Sequence, residues 1–154
     1  MKMSENDLTL FKVLEKAIYF ATKKHFGQVD KGGHPYILHP LRVMQSVDTL
    51  PSKIAAILHD VIEDTDATID DLKNEVGVPE YILEAILAVT KTQNESKVDA
   101  AKRAAANPIA RLVKLADVQD NMDLSRLPKV TQKDLDRLEK YKQVLLILNS
   151  HPSC

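Results

Sequence analysis

Two histidines and two aspartates have the residue types and the order of a metal site. They occur as His, then His-Asp, then Asp, at His39, His59, Asp60 and Asp117. Imidazole nitrogens and carboxylate oxygens together form a mixed ligand set that suits Mn²⁺, Fe²⁺, Zn²⁺ or Mg²⁺. A metal ion held by such a set can activate water and polarise a phosphoryl oxygen. The sequence therefore predicts a divalent-metal site that hydrolyses a phosphate ester.

The segment from residue 54 to residue 64 collects acidic side chains without compensating cations. At about 100° per residue, its apolar side chains fall on one helical face, and His59, Asp60, Glu63 and Asp64 fall on the opposite face. Asp60 and Asp64 are four residues apart, a spacing at which like charges repel. Because the segment contains no lysine or arginine, we expect a metal cation to neutralise this face.

Asp117 borders the apolar face of another predicted helix, one turn from Val113. An unpaired carboxylate in that position would be costly to bury, so Asp117 needs a partner. Metal ligation would supply one, but a helix cap or an ion pair with Lys114 is an alternative. Asp120 and Asn121 continue the same polar edge. Taken singly, His39 is also compatible with a structural cap, and only the joint pattern favours a metal.

The elements that position these residues are predicted to be helices. The chain has 154 residues, 44% of them hydrophobic, and only four glycines, and its common residues favour helix over strand. We therefore predict an all-α fold, a single domain of roughly eight helices. The predicted helices cover residues 6–24, a segment from residue 40, 51–63, 69–76, 79–90, 98–106, a segment from 108 to 117 or beyond, and 131–149.

Local signals set several of these boundaries. Pro40 is predicted to open the second helix, with His39 held in extended backbone at its mouth. Asp66 or Thr68 would cap the fourth helix, and Gly77 would end it. Residues 27–35, which include three of the four glycines, and the polar residues 91–97 are predicted loops. The tail, residues 150–154, is predicted to be disordered.

Composition excludes several functional classes. The formal net charge of −1 provides no basic field for a nucleic-acid polymer. The single cysteine, Cys154, forms neither an internal disulfide nor a cysteine zinc cluster. No apolar run approaches 18 residues and the N-terminus lacks an apolar signal core, so we expect a cytoplasmic protein without a membrane partner. Homo-oligomerisation stays open, because the apolar face of the last helix can pack on the core or on another copy.

Three stretches of the sequence resemble the HD-domain phosphohydrolases. They are HFGQ and KGGHPYILHP at residues 25–28 and 31–40, AILHDVIEDT at 56–65, and LVKLAD at 112–117 followed by Asn121. The closer likeness is to the alarmone hydrolase domain of RelA/SpoT-type proteins and their small stand-alone relatives, over about residues 10–148. The resemblance implies a manganese (Mn²⁺)-dependent 3′-pyrophosphohydrolase that removes the 3′-diphosphate from guanosine tetra- or pentaphosphate.

The resemblance also implies a role for individual residues. By this likeness the metal ligands are His39, His59, Asp60 and Asp117. Glu63 and Asp64 match the pair that activates and orients the attacking water. Substrate contacts would come from Lys31 and Asn121, with Tyr36 at a further pocket position.

Four positions depart from the family's pattern: Asp30 and Gly32 stand where an arginine and a serine are usual, and Val118 and Asp120 replace an arginine and a histidine. The first arginine is associated with packing against the purine base, and an aspartate neither stacks nor offers a cation. Two alternatives therefore stay open. One is hydrolysis of another nucleotide, such as an adenosine alarmone or a phosphorylated dinucleotide. The other is a nucleotide-binding module that has lost catalysis.

Overall fold

Residues 4–150, which the computed structural model describes, fold into helices joined by short loops. Within this range the isolated bridge between Val29 and Pro35 is the only pairing of extended backbone, so the all-α prediction is confirmed. The helices are α1 (Glu5–His25), α2 (Leu38–Gln45), α3 (Leu50–Leu58), α4 (Val61–Asp64), α5 (Ile69–Asp71), α6 (Glu80–Val89), α7 (Lys97–Ala105), α8 (Pro108–Asn121) and α9 (Gln132–Ser150). A π-helical turn, Leu72–Val76, continues α5, and a 3₁₀ turn, Leu124–Arg126, lies between α8 and α9.

Most helix ends lie within two residues of their predicted positions, because local side chains determine them. Thr68 caps α5 by accepting from the backbone N–H of Asp71 at 3.2 Å. Asp66, the other candidate cap, instead pairs with Lys24 at 2.9 Å. Gly77 ends the π-helical turn with a left-handed φ of 79°, a conformation that glycine adopts without a Cβ penalty.

The prediction of one continuous helix over residues 51–63 is wrong. The chain leaves the helix after α3 and re-enters it at α4, with His59 and Asp60 between them. The cause is a side chain that competes with the backbone: Nδ1 of His59 lies 2.5 Å from the carbonyl oxygen of Ala56. That carbonyl would otherwise accept from the N–H of residue 60 in an unbroken helix. The break contains His59 and Asp60, two of the four predicted metal ligands.

The prediction that His39 lies in extended backbone ahead of the second helix is also wrong. Helix α2 begins at Leu38, so His39 is its second residue and Pro40 its third. Proline fits there because first-turn N–H groups have no acceptor within the helix. His39 donates its own backbone N–H to the carbonyl of Tyr36 at 3.0 Å, and its ring is buried.

Helix α3 lies at the centre of the fold and packs against α1, α2, α6 and α8. Its residues 54–58 are fully buried, and full burial of an Ile or Leu side chain contributes about 1.5–3 kcal/mol relative to exposure. Helices α2 and α8 also pack on each other. The C-terminal end of α3, α2 and α8 therefore surround one point, to which each contributes a polar side chain.

A second apolar cluster joins α7, α8 and α9, and its buried members are Ala101, Ala105, Val118, Val144 and Leu148. It holds α9 against α8, so the predicted apolar face of the last helix packs in part on the core. Ser150, placed in the predicted tail, is the last residue of α9, and the rest of that tail lies outside the described residues. Between residues 4 and 150, the helices fall short of the combined length and apolar character that crossing a membrane requires.

Candidate functional site

The four predicted metal ligands converge on one point. His39 comes from α2, His59 and Asp60 from the break between α3 and α4, and Asp117 from α8. One ligand atom from each side chain lies within 4.8 Å of those from the other three. His39, His59 and Asp117 are 5%, 3% and 6% exposed, so the atoms that face one another are shielded from solvent.

The spacing of the ligand atoms fits a divalent metal ion. Nε2 of His59 lies 2.9 Å from Oδ2 of Asp60 and 3.3 Å from Oδ1 of Asp117. Nε2 of His39 lies 3.0 Å from that same Oδ1 atom of Asp117 and 3.5 Å from Oδ2 of Asp60. Ligands at right angles around an ion with bonds of about 2.1 Å stand roughly 3 Å apart. The side chains therefore already stand at ligand distances from one another.

Both histidines are oriented so that Nε2 faces the cluster. Nδ1 of His59 lies against the carbonyl of Ala56 at 2.5 Å, and Nδ1 of His39 lies 2.6 Å from Oδ2 of Asp120. Because both partners accept hydrogen bonds, each Nδ1 carries the proton and donates it. Hydrogen bonds of this kind fix the tautomer of metal-ligating histidines and leave the Nε2 lone pair for the metal.

Electrostatics in the cluster favour a cation. Burial lowers the pKa of both histidines, but nearby carboxylates outweigh burial and raise it. These carboxylates are Asp117 and Asp120 at His39, and Asp60 and Asp117 at His59. Burial raises the pKa of Asp60, but His59 outweighs burial and holds that pKa below the usual range. Burial also raises the pKa of Asp117, but Lys114 and both histidines outweigh it and hold that pKa well below the usual range. Positive charge on the histidines thus balances the carboxylates, and a metal that binds at Nε2 must displace those protons.

Asp117 also forms the ion pair with Lys114 that was the alternative to metal ligation. Its Oδ2 accepts from Nζ of Lys114 at 3.1 Å, while its Oδ1 faces both histidines and accepts from Asn121 at 3.1 Å. The two roles therefore use different oxygens of one carboxylate. Burial lowers the pKa of Lys114, but Asp117 and the acids around it outweigh burial and raise it, so the lysine stays charged.

Glu63, Asp64 and Tyr36 surround the metal ligands on the solvent side. The hydroxyl of Tyr36 lies 2.6 Å from Oδ2 of Asp60 and 3.3 Å from Oδ2 of Asp64. Burial and the Asp60 charge raise the pKa of Tyr36 far above its usual range, so its phenol stays protonated and donates to Asp60. Glu63 accepts a hydrogen bond from the backbone N–H of Lys91. Burial raises the pKa of both Glu63 and Asp64, which makes each a stronger base.

These residues line a cavity of about 250 Å³, here called the metal pocket, which contains the four ligands together with Glu63 and Asp64. Lys91, Lys97 and Lys114 also line it, and Lys114 lies directly beside Asp117. Nζ of Lys97 lies 5.0 Å from the ring centroid of Tyr141. Burial and the neighbouring lysines Lys140, Lys114 and Lys91 lower the pKa of Lys97. Cations crowded together in this way favour an anionic ligand such as a phosphate group.

A second cavity of about 280 Å³ adjoins the metal pocket and shares Tyr36, His39, Asn121 and Tyr141 with it. We call it the loop cavity, because residues 29–32 of the loop after α1 form one side of it. The 3₁₀ turn and α9 form the other sides. Its charged side chains include Lys31, Arg42, Arg126, Asp134 and Arg137. The predicted substrate residues Lys31, Tyr36 and Asn121 thus all border this cavity.

Asp30 and Gly32, two of the departures from the family pattern, shape the loop. Oδ1 of Asp30 accepts from the backbone N–H groups of Gly32 and His34, each at 2.9 Å, as in the turns that aspartate side chains stabilise. A Cβ on Gly32 would lie 2.5 Å from the carbonyl oxygen of Arg126. Glycine therefore lets this loop pack against the 3₁₀ turn. A larger residue at this position would push the loop away from that turn.

The other two departures, Val118 and Asp120, both contact other parts of the protein. Val118 is fully buried in the cluster between α7, α8 and α9. Asp120 borders the loop cavity, but its carboxylate contacts His39 at 2.6 Å and Arg42 at 2.8 Å. Burial raises the pKa of Asp120, but His39 and Arg42 outweigh it and hold the pKa far below the usual range.

Several site residues were not predicted from the sequence. Arg42 lies one helical turn after His39, so helical spacing could have indicated it. Lys91 and Lys97 lie in a segment whose pattern indicates only a polar loop, and Arg126 and Arg137 carry no local signal. Packing between distant elements places these four side chains, and no spacing rule relates them to the histidines.

Comparison with known proteins places this geometry among HD domains. A family profile described as an HD domain matches residues 17–141. A human guanosine-3′,5′-bis(diphosphate) 3′-pyrophosphohydrolase is 34% identical over 125 residues, which are 73% of this chain and 70% of the human protein. An Aquifex aeolicus protein of the same name is 36% identical over 121 residues, 71% of this chain but 17% of that protein. The chain thus spans about a sixth of the Aquifex protein's length.

A solved structure has the same fold. It is that of a metazoan ortholog of SpoT that hydrolyses ppGpp and plays a role in starvation responses. The two chains match with a TM-score of 0.74 and 25% sequence identity, over 99% of this chain and 90% of the other. The similarity therefore includes every helix that contributes to the metal pocket.

Proposed function

The chain belongs to the HD-domain family, and from this premise we propose that it is a metal-dependent hydrolase of guanosine 3′,5′-bis(diphosphate) or a closely related nucleotide. The bond cleaved would be the one that attaches the 3′-diphosphate. The observation that carries the proposal is the convergence of His39, His59, Asp60 and Asp117 at ligand spacing, in a cavity that three lysines also line. A metal ion and several lysine side chains in one cavity suit a substrate that carries several negative charges.

The names of the relatives support this substrate. Two similar proteins are named guanosine-3′,5′-bis(diphosphate) 3′-pyrophosphohydrolases, and the ortholog with the same fold hydrolyses ppGpp. The human relative is the more informative, because the chain covers 70% of it. The aligned part of this chain therefore corresponds to most of the human protein, whose name states this activity.

The described residues support a mechanism in which an activated water attacks the phosphoryl group. A bound divalent metal supplies a Lewis acid that lowers the pKa of water and polarises a phosphoryl oxygen. Glu63 accepts the proton of the attacking water, and its raised pKa makes it a better base. Asp64 orients the water. Tyr36 donates a hydrogen bond to Asp60 and lies 3.3 Å from Asp64, so it fixes the positions of these two carboxylates relative to each other.

Binding and charge neutralisation come from the cationic side chains. Lys91, Lys97 and Lys114 line the metal pocket, where their charges would offset that of the diphosphate. Lys31 and Asn121 border the loop cavity, where the nucleoside enters beside the ring of Tyr141. The flat face of the tyrosine ring can stack on a base. The purine would therefore occupy the loop cavity, and the diphosphate the adjoining metal pocket.

The decisive experiment is incubation of the purified protein with Mn²⁺ and guanosine 3′,5′-bis(diphosphate), with release of inorganic diphosphate as the measurement. We expect turnover in the wild type and its loss in Glu63→Ala. Glu84→Ala serves as the matched control, because Glu84 is an exposed acid of α6 outside both cavities. Absence of diphosphate release from the wild type would contradict the proposal for this substrate, and equal turnover in Glu63→Ala would contradict the role of the base.

We propose Mn²⁺ as the metal, on the basis of the family resemblance and the two-histidine, two-carboxylate donor set. Removing the metal with a chelator should abolish turnover, and Mn²⁺ should restore it more fully than Mg²⁺ or Zn²⁺. Equal or better restoration by another ion would reassign the metal without changing the ligands.

A second candidate function is hydrolysis of a different nucleotide, and Asp30 is the observation that favours it. Asp30 borders the loop cavity with an acceptor group where the family has an arginine that packs on the base. The discriminating measurement compares kcat/KM for the guanosine and adenosine 3′,5′-bis(diphosphates). A preference for the adenosine compound would favour this candidate, whereas turnover confined to the guanosine compound would reject it. Binding of either nucleotide without turnover would indicate a module that has lost catalysis.

A further inference from the structure

The two metal-site histidines differ in the partner that holds Nδ1. His59 donates to a neutral backbone carbonyl, that of Ala56. His39 donates to the carboxylate of Asp120, at 2.6 Å. The side chains of His39 and Asp120 are 6% and 13% exposed, so solvent screens this contact little. A charged acceptor in such surroundings binds an N–H more strongly than a neutral one does.

Arginine side chains hold Asp120 in place. Arg42 contacts both carboxylate oxygens, with Nε 2.8 Å from Oδ1 and Nη2 3.1 Å from Oδ2. Arg126 donates to the backbone carbonyl of Asp120 at 2.7 Å and lies 3.4 Å from its Oδ2. Both oxygens of Asp120 therefore have partners, and Asp120 is not among the four side chains whose ligand atoms converge. Asp120 is suited to act on the metal through His39 rather than as a ligand.

We propose that Asp120 is a positioning residue that sets the metal affinity of the site through His39. Its carboxylate fixes the Nδ1–H tautomer and makes Nε2 a stronger donor to the metal. The two arginines hold the carboxylate in position against Nδ1 of His39. The inference rests on the metal site of the proposed function but not on the substrate, since it concerns metal binding alone.

This role accounts for a departure from the family pattern. Asp120 stands where the pattern has a histidine, which carries no fixed negative charge. In this chain Arg42 and Arg126 border the loop cavity and converge on the same carboxylate. Asp120 thus connects His39 with Arg42 and Arg126 of the loop cavity. The replacement of histidine by aspartate at this position makes the arrangement possible.

The test is the affinity of the nucleotide-free protein for Mn²⁺, measured by titration for the wild type and Asp120→Asn. Asparagine keeps the size and an acceptor oxygen but removes the charge. We expect affinity to fall about 10- to 100-fold, as for partners of other metal-ligating histidines. Asp123→Asn is the matched control: Asp123 pairs with the same Arg126, at 3.0 Å, but does not contact His39, so affinity should stay at the wild-type value. Equal affinity in Asp120→Asn and the wild type would overturn the proposal.

A second measurement reports on the His39 ring directly. In the wild type loaded with diamagnetic Zn²⁺, nitrogen NMR should show the His39 ring protonated at Nδ1 and metal-bound at Nε2, with Asp120→Asn shifting the Nδ1 signal. Binding through Nδ1, or an unchanged signal in the variant, would overturn the proposal. Because neither measurement uses a nucleotide, loss of turnover on the proposed substrate would leave these results intact, and the two hypotheses fail separately.

Discussion

The metal pocket and the loop cavity share a boundary but hold their polar side chains differently. In the metal pocket, the rings of His39 and His59 are buried and each is fixed at both nitrogens. In the loop cavity, Lys31 is exposed and Arg137 pairs with Asp134 at 3.5 Å, the upper limit for a hydrogen bond. The predicted metal ligands are thus fixed before a ligand arrives. In the loop cavity Arg42 is held by Asp120, whereas Lys31 and Arg137 can adjust to the occupant.

The difference indicates how the protein divides its work. Chemistry at a metal needs ligands held to fractions of an ångström, so buried partners for the histidines are favoured there. Recognition of a nucleoside tolerates side chains that reorient on binding. Changes in the metal pocket should therefore affect turnover, whereas changes in the loop cavity should affect substrate affinity. Each of the following predictions tests that division.

The largest effect is expected for Asp117→Ala. The change removes a ligand and leaves Lys114, His39 and His59 without their shared carboxylate. Turnover and metal binding should both be lost, and the free energy of unfolding should fall by about 3–5 kcal/mol because buried cations lose their partner. Diphosphate release, metal titration and chemical unfolding measure these effects. Asp136→Ala, at an exposed position of α9, is the control, and metal-dependent turnover in Asp117→Ala would contradict the ligand set.

Glu63→Gln should affect turnover alone. The amide keeps the size of the side chain but cannot accept the proton of water, so kcat should fall by about 10²- to 10⁴-fold. Because Glu63 is not a ligand in this arrangement, affinity for Mn²⁺ should stay at the wild-type value. Single-turnover kinetics and metal titration separate the two quantities. A parallel fall in metal affinity would make Glu63 part of the metal site and weaken its role as the base.

Gly32→Ala tests the loop cavity and should give a smaller effect. The added Cβ would lie 2.5 Å from the carbonyl oxygen of Arg126, so the loop must move away from the 3₁₀ turn. We expect a several-fold rise in KM with kcat unchanged, and a stability loss of about 1–3 kcal/mol. Glu84→Ala is again the control, because Glu84 is exposed and lies outside both cavities. A fall in kcat with unchanged KM in Gly32→Ala would contradict the proposed division.

The smallest expected effect is the dependence of stability on pH in the metal-free protein. The carboxylates raise the pKa of His39 and His59 above the ordinary 6.5, so above that pH the folded state binds more protons than the unfolded state. Stability from these histidines is therefore complete below pH 6.5 and is lost as pH rises through their raised pKa values. Metal binding has the opposite dependence, because it requires neutral rings.

Thermal unfolding with and without Mn²⁺, at about pH 6 and about pH 8, tests this prediction. The stabilisation that the metal confers should be larger at the higher pH. Asn substitution of Asp66, an exposed partner of Lys24 far from the histidines, should leave the difference between the two pH values unchanged. A metal-induced shift that is larger at the lower pH would contradict neutral histidine ligands.

Local signals predicted the helices well because their causes are local. Thr68 and Gly77 mark the limits of one helical segment through a side-chain cap and a left-handed backbone, and Pro108 opens α8 where its missing N–H has no cost. The error at His59 also has a local cause, since its ring takes a carbonyl that the helix would have used. Helical periodicity does not report that competition, because it counts apolar spacing and not side-chain hydrogen bonds.

The sequence by itself determined the helical class and the residue types of the metal site. Periodicity depends on neighbours within four residues, and the joint histidine and aspartate pattern needs no coordinates. The tertiary structure alone decided that Asp120 contacts His39, that Lys91 and Lys97 line the metal pocket, and that Gly32 lets a loop pack on the 3₁₀ turn. The reason is physical: each of these contacts joins segments distant in the chain, and only the packing of α2, α3, α8 and α9 brings them within hydrogen-bonding range.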